Sequence, residues 1–126
     1  VILTGRTVDP YNPKVVRASV GTLFHLPIVT GVELGAALDA CRAAGMSVLA
    51  TDGEADTTLL DLADDLARPT AWVMGNEAWG LPSEQLAMAD RSVAVPLYGS
   101  AESLNLATAA AICLYTSATA QRAAAN

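Results

Sequence analysis

The sequence predicts an α/β protein, a layered and mostly parallel sheet with helices on both faces, and three observations carry that expectation. Five short apolar runs, Val1-Ile2-Leu3, Pro27-Ile28-Val29, Ser47–Ala50, Ala71–Met74 and Ser92–Val95, have the length and composition of strands. Between them lie stretches with helical or turn-like spacing rather than two-residue hairpin signals, the alternation expected of parallel strands joined by crossovers. The runs are also apolar nearly throughout, as strands covered on both faces must be.

Each element has a local reason. Asn12-Pro13 is an N-cap and first-turn pair for a helix with the apolar stripe Val16, Val20, Leu23 and Phe24. After the second strand, Thr30-Gly31-Val32-Glu33 has the form of a capping box opening a second helix that buries Leu34, Leu38 and Cys41 and stops at Gly45. Thr58–Ala67 is a weaker helical or turn segment, ended by Pro69, and a short helix from about Ser83 to Ala89 precedes the fifth strand. A long helix of about twenty residues, roughly Ser103 to Ala123, closes the chain. It is apolar almost all round, so it should be packed on most sides.

The chain of 126 residues is 52% apolar, enough for one domain with a core and too short for two. It begins on a strand without a preceding Met, which suggests a domain whose N-terminal part is missing. No signal peptide or long apolar run is present, so the expected location is cytoplasmic and no membrane is involved. Cys41 and Cys113 each lie in a helical pattern and read as reduced thiols. With one His and no Cys pair at ligand spacing, no metal is expected. The net charge of −6 argues against a protein that coats nucleic acid by phosphate contact. Residues 1–25 nevertheless carry Arg6, Lys14 and Arg17 against Asp9 alone, while residues 33–65 carry eight acids against Arg42. Lys14 and Arg17 share one face of the first helix and read either as an RNA-phosphate pair or as a solvated basic face.

Ligands of parallel sheets sit at the carboxyl ends of strands. The candidate loops are Thr51-Asp52-Gly53, Gly75–Gly80 and Pro96–Glu102. The middle one, Gly75-Asn76-Glu77-Ala78-Trp79-Gly80, lacks the Lys and hydroxyl residue of a phosphate loop and the second Gly of a dinucleotide fingerprint. A plain connection and a ligand loop with one carboxylate both remain open. Ser103 and Asn105, at the start of the last helix, read equally as caps or as site residues.

Gly75-Asn76-Glu77-Ala78-Trp79-Gly80-Leu81, followed by Val95-Pro96-Leu97-x-Gly99-x-x-x-Ser103-Leu104-Asn105-Leu106-Ala107, resembles the second and third motifs of the SpoU class of RNA ribose 2′-O-methyltransferases, in the SPOUT superfamily. The stretch from Val8 to Gly21 resembles the segment that follows that family's first motif. The resemblance implies a C-terminal deep trefoil knot threaded by the last helix. It implies S-adenosyl-L-methionine bound among the three strand-end loops at Thr51, Gly75, Val95 and Leu104, with Gly75 letting backbone approach the cofactor. It implies catalytic roles for Glu77, Ser103 and Asn105 in ordering the site, an rRNA or tRNA substrate, and a homodimer through the last helix. The family's first motif, with its Asn and Arg, is not in these residues, so the expectation is a chain that is not a competent methyltransferase by itself. A knotted cofactor-binding and dimerisation module without activity of its own is the alternative.

Overall fold

A computed structural model describes residues 1–62 and 64–125. Two compact units divide the chain, Val1–Ala40 and Cys41–Asn126. In the first, β1 (Ile2–Thr4) pairs in parallel with β2 (Val29–Val32), and α1 (Pro13–Ala18) lies between them in sequence. Asn12 caps α1 by accepting from the Lys14 N–H at 3.0 Å, with Pro13 in its first turn. Two expectations fail here. The helix does not run on to Phe24, because Val20 sits at φ 51 and breaks it, leaving a separate single turn at Thr22–His25. Val20 and Phe24 are consequently exposed rather than part of a buried stripe. Nor does Thr30 open a capping box: it lies within β2, in register with Leu3, so its backbone is extended where a cap was expected.

α2 (Leu34–Ala43) buries Ala37 and Leu38. It ends as expected at Gly45, whose φ of 79 needs no Cβ to accommodate it. The Gly45 N–H donates to the Arg42 carbonyl at 2.9 Å and the Met46 N–H to the Cys41 carbonyl at 3.0 Å. Together these bonds form a Schellman motif that turns the chain into the next strand.

The second unit holds a three-stranded parallel sheet in the order β4-β3-β5, with β3 (Ser47–Thr51) between β4 (Thr70–Val73) and β5 (Arg91–Val93). Parallel sheets with helices thus stand as expected, although the five strands form two sheets. Both faces of β3 are covered: Val48 and Ala50 are fully buried on one, Leu49 on the other. Leu49 belongs to a core with Leu59, Leu62, Leu66 and Val93, against which Trp72, Val95 and Ala120 pack. The weak segment after β3 therefore consists of two single turns, Leu59–Leu62 and Asp65–Ala67, whose Leu59, Leu62 and Leu66 fill this core while Leu60 is exposed. α3 (Ser83–Leu86) is one short turn, and α4 (Leu106–Ala124) closes the unit.

α4 is anchored along one side. Cys113 is fully buried, Ser117 accepts from the Trp72 indole N–H at 2.9 Å, and Gln121 donates to the Arg68 carbonyl at 3.1 Å. Burial pushes the Cys113 thiol up to about 11, so it stays protonated and unreactive at neutral pH. The opposite stripe of Ala107, Ala111, Leu114, Tyr115 and Ala118 is exposed in the single chain. No helix of the described residues is long and apolar enough to cross a membrane.

Asp90 holds the far end of the sheet together. One carboxylate oxygen accepts the Val48 N–H at 2.7 Å, and the other accepts from Arg42 Nε at 2.9 Å. The Val48 amide first, then Arg42, keep this carboxyl below its ordinary range, against the opposing effect of desolvation. A carboxyl with a depressed folded pKa adds stability that is fully present above its unfolded value of about 3.9 and is lost as pH falls through the folded one. Asp90→Asn is expected to melt lower than the parent at neutral pH and to lose less on acidification between about pH 5 and pH 3. Parallel melting curves across that range would show that the carboxylate carries none of the acid sensitivity.

Candidate cofactor site

At the carboxyl ends of β3, β4 and β5 the chain encloses a cavity of about 620 Å³. Thr51 reaches it at the end of β3, Gly75 just past β4, Val95 just past β5, and Leu104 just before α4, and all four line it. Glu77 and Ser103 line it as well, whereas Asn105 does not and instead touches Glu77. Lys14 and Arg17 are exposed side chains of α1 in the first unit.

The Gly75–Gly80 loop closes on itself. The Asn76 N–H donates to the Gly80 carbonyl at 3.0 Å, the Gly80 N–H returns to the Asn76 carbonyl at 2.8 Å, and the Asn76 side chain accepts from the Ala78 N–H at 2.7 Å. Gly80, at φ 65, makes the return possible. A Cβ on Gly75 would fall on the carbonyl carbon and oxygen of Gly80 and within 2.6 Å of the Leu81 nitrogen. The missing side chain therefore serves the loop's own closure first, a reason different from the close approach to a cofactor expected from sequence.

Glu77 ties this loop to α4. Its Oε1 accepts from the Asn105 side-chain amide at 2.5 Å and from the Leu106 backbone N–H at 3.2 Å. Asn105 meanwhile caps the helix, its side-chain oxygen accepting from the Thr108 N–H at 3.2 Å. The cap reading of Asn105 is therefore met, and the same side chain also bonds a residue of the cavity wall. A carboxylate against the first amides of a 19-residue helix also meets the positive end of its dipole.

Sequence reasoning flagged all three wall-forming loops but omitted three of their polar members, Asp52, Asn76 and Glu102, which also line the cavity. Asp52 bonds the Glu54 N–H at 3.0 Å and so shapes the first loop. The available signal was a carboxylate or amide within a strand-end loop, one residue past β3 for Asp52 and three past β4 for Asn76, which is too common in loops to select by itself. The Glu77–Asn105 contact spans 28 residues of sequence, and no local pattern signals it.

A cavity walled by the loops at the carboxyl ends of parallel strands stands where proteins of the α/β class hold their small-molecule ligands. The chain belongs to the SpoU rRNA Methylase family, whose model matches residues 1–115. It is 40% identical over 120 residues to the 23S rRNA (uridine(2479)-2′-O)-methyltransferase of Streptomyces viridochromogenes, covering 91% of this chain and 41% of that protein. It is 36% identical to the 23S rRNA (guanosine(2553)-2′-O)-methyltransferase of Bacillus subtilis, covering 91% of this chain and 45% of that one. Among solved structures it resembles the SpoU methyltransferase AviRb from S. viridochromogenes in complex with AdoMet, with a TM-score of 0.83 and 37% identity over 99% of this chain and 50% of that one. The chain thus spans about half the length, or less, of these relatives.

Proposed function

We propose that this chain is the cofactor-binding part of an RNA 2′-O-ribose methyltransferase, with rRNA as the favoured substrate, and that Thr51, Gly75, Val95 and Leu104 hold S-adenosyl-L-methionine. The single observation that carries the reading is the strand-end cavity, to which every expected cofactor residue contributes. Its volume of about 620 Å³ suits a molecule of that size, and its wall is built largely of small and apolar residues that expose backbone.

When bound, the cofactor supplies a methyl group on a sulfonium, so the S–CH₃ bond breaks as the ribose 2′-oxygen forms O–CH₃, sulfur keeps the electron pair and the hydroxyl proton leaves. A ribose hydroxyl is a poor nucleophile at neutral pH and needs a group that accepts or polarises its proton. Glu77 has a positioning role in this reading, its Oε1 accepting from the Asn105 amide and the Leu106 N–H. Glu77 and Asn105 fix the loop against the helix, and Ser103 stands on the cavity wall next to Leu104 in sequence. Lys14 and Arg17 hold RNA phosphate as point charges. The reading includes a C-terminal trefoil knot threaded by α4 and a cytoplasmic place of action.

The reading includes a homodimer, supported by the exposed apolar stripe of α4, where Leu114 and Tyr115 are 57% and 73% accessible. Ala111→Arg, in the middle of that stripe, is expected to give monomers or insoluble protein in sedimentation experiments. A parent chain that is itself monomeric at micromolar concentration would remove the dimer from the proposal. For the cofactor, calorimetry of the chain with S-adenosyl-L-methionine should show binding at one site. A folded chain that binds neither this molecule nor its demethylated product would overturn the function proposed.

A further inference from the structure

Among the described residues, no Lys, Arg or His lines the cavity. No Lys, Arg or His occurs in residues 43–67, 69–90 or 92–121, which include all three wall-forming loops. Asp52, Glu77 and Glu102 line the cavity instead. Two of the arginines nearest to these loops in sequence are engaged elsewhere, Arg42 with Asp90 and Arg91 with Asp65. An RNA strand brought to this mouth therefore meets three carboxylates and no cation on the cavity wall, so phosphate contacts do not account for holding it there.

What the loops do present is aromatic. Trp79 is 85% exposed and Tyr98 is 84% exposed. A single exposed aromatic side chain needs no explanation. These two, however, stand on two different loops of the same cavity: Ala78 and Gly80, on either side of Trp79, and Leu97, beside Tyr98, all line it. Trp79 is also held by a rigid turn, since the bonds between Asn76 and Gly80 close the loop around it. The backbone that carries its ring is thus ordered before contact, which lowers the entropy cost of stacking.

We propose that Trp79 and Tyr98 bind unpaired nucleobases of the RNA by stacking, and that they seat the target nucleotide at the cavity, whose wall offers phosphate no cation. Every base offers a π-face, single-stranded RNA exposes it, and stacking does not depend on neutralising charge. This rests on the methyltransferase reading, and it adds the means by which substrate is held at the acidic mouth.

The test uses the full chain and a labelled single-stranded RNA of about ten nucleotides, within the span such sites cover. Anisotropy should show Trp79→Ala and Tyr98→Ala each weakening RNA binding by about fivefold or more, with a loss that persists as salt is raised. Trp79→Phe and Tyr98→Phe, which keep an aromatic face, should bind within about twofold of the parent. Calorimetry with S-adenosyl-L-methionine should be unchanged in all four variants. The proposal is overturned if the alanine variants bind RNA like the parent, if the parent binds no RNA, or if they alter sedimentation and not RNA binding, which would assign the aromatics to a second copy. Failure of the underlying reading looks different: the parent itself would then bind no S-adenosyl-L-methionine.

Discussion

Gly75→Ala is expected to remove S-adenosyl-L-methionine binding, and Gly75→Val to do the same, while circular dichroism still reports a folded chain. The reason is geometric. Any Cβ at this position meets the backbone of Gly80 and Leu81, and backbone cannot swing aside as a side-chain tip can. The loop must open, breaking the paired bonds between Asn76 and Gly80 and carrying Glu77 away from Asn105 and Leu106. Overpacking of this kind costs about 1–3 kcal/mol, which the chain tolerates because the core of Leu49, Leu59, Leu62, Leu66 and Val93 does not include the loop. The ligand loses one whole wall of its cavity, and affinity should drop by roughly a hundredfold or more, the equivalent of about 2.7 kcal/mol. Unchanged affinity in Gly75→Ala by calorimetry would show that the loop is not part of the binding site.

The second large effect concerns the tie between Glu77 and Asn105. In the complete protein, Glu77→Ala and Asn105→Ala should each lower methyl transfer by about tenfold or more, corresponding to about 1.4 kcal/mol in the barrier. Stability should change by only about 1 kcal/mol, as for a lost helix cap. Two conservative variants separate positioning from proton transfer. Glu77→Gln keeps an acceptor oxygen for Asn105 and Leu106 and should retain most of the activity, with an unaltered pH profile. Asn105→Asp keeps an equally good cap yet brings a second carboxylate to the place where an amide now donates to Glu77 at 2.5 Å, and should be worse than Asn105→Gln in activity. Should Glu77→Gln be as inactive as Glu77→Ala, the carboxylate charge rather than its geometry would be what the reaction needs.

The sequence made some of this readable and hid the rest for identifiable reasons. The three central strands, the stop at Gly45 and the long last helix were legible because each is dictated by residues within a few positions of it. The first helix was overextended because apolar spacing continued through Val20 and Phe24, and only the fold reveals that Val20 adopts a left-handed conformation. The mistaken capping box at Thr30 has a similar origin: the pattern was present, but pairing of β2 with β1 took the backbone first. The cavity loops could be located from strand ends, and every residue carried over for the cofactor reaches the cavity. Asp90 escaped notice altogether, since its partners Val48 and Arg42 are 42 and 48 residues away.

One bond described above also makes the assembly of the site visible from a single amide. The first N–H groups of a helix have no partner within it and ordinarily trade their hydrogens with water fastest. Leu106 is the first residue of α4, yet its amide is held by a carboxylate 29 residues earlier in the chain. Slow hydrogen exchange at Leu106 thus requires the Gly75–Gly80 loop to be closed and docked. Its exchange rate becomes a clock for how often the cavity comes apart, readable without ligand, RNA or turnover.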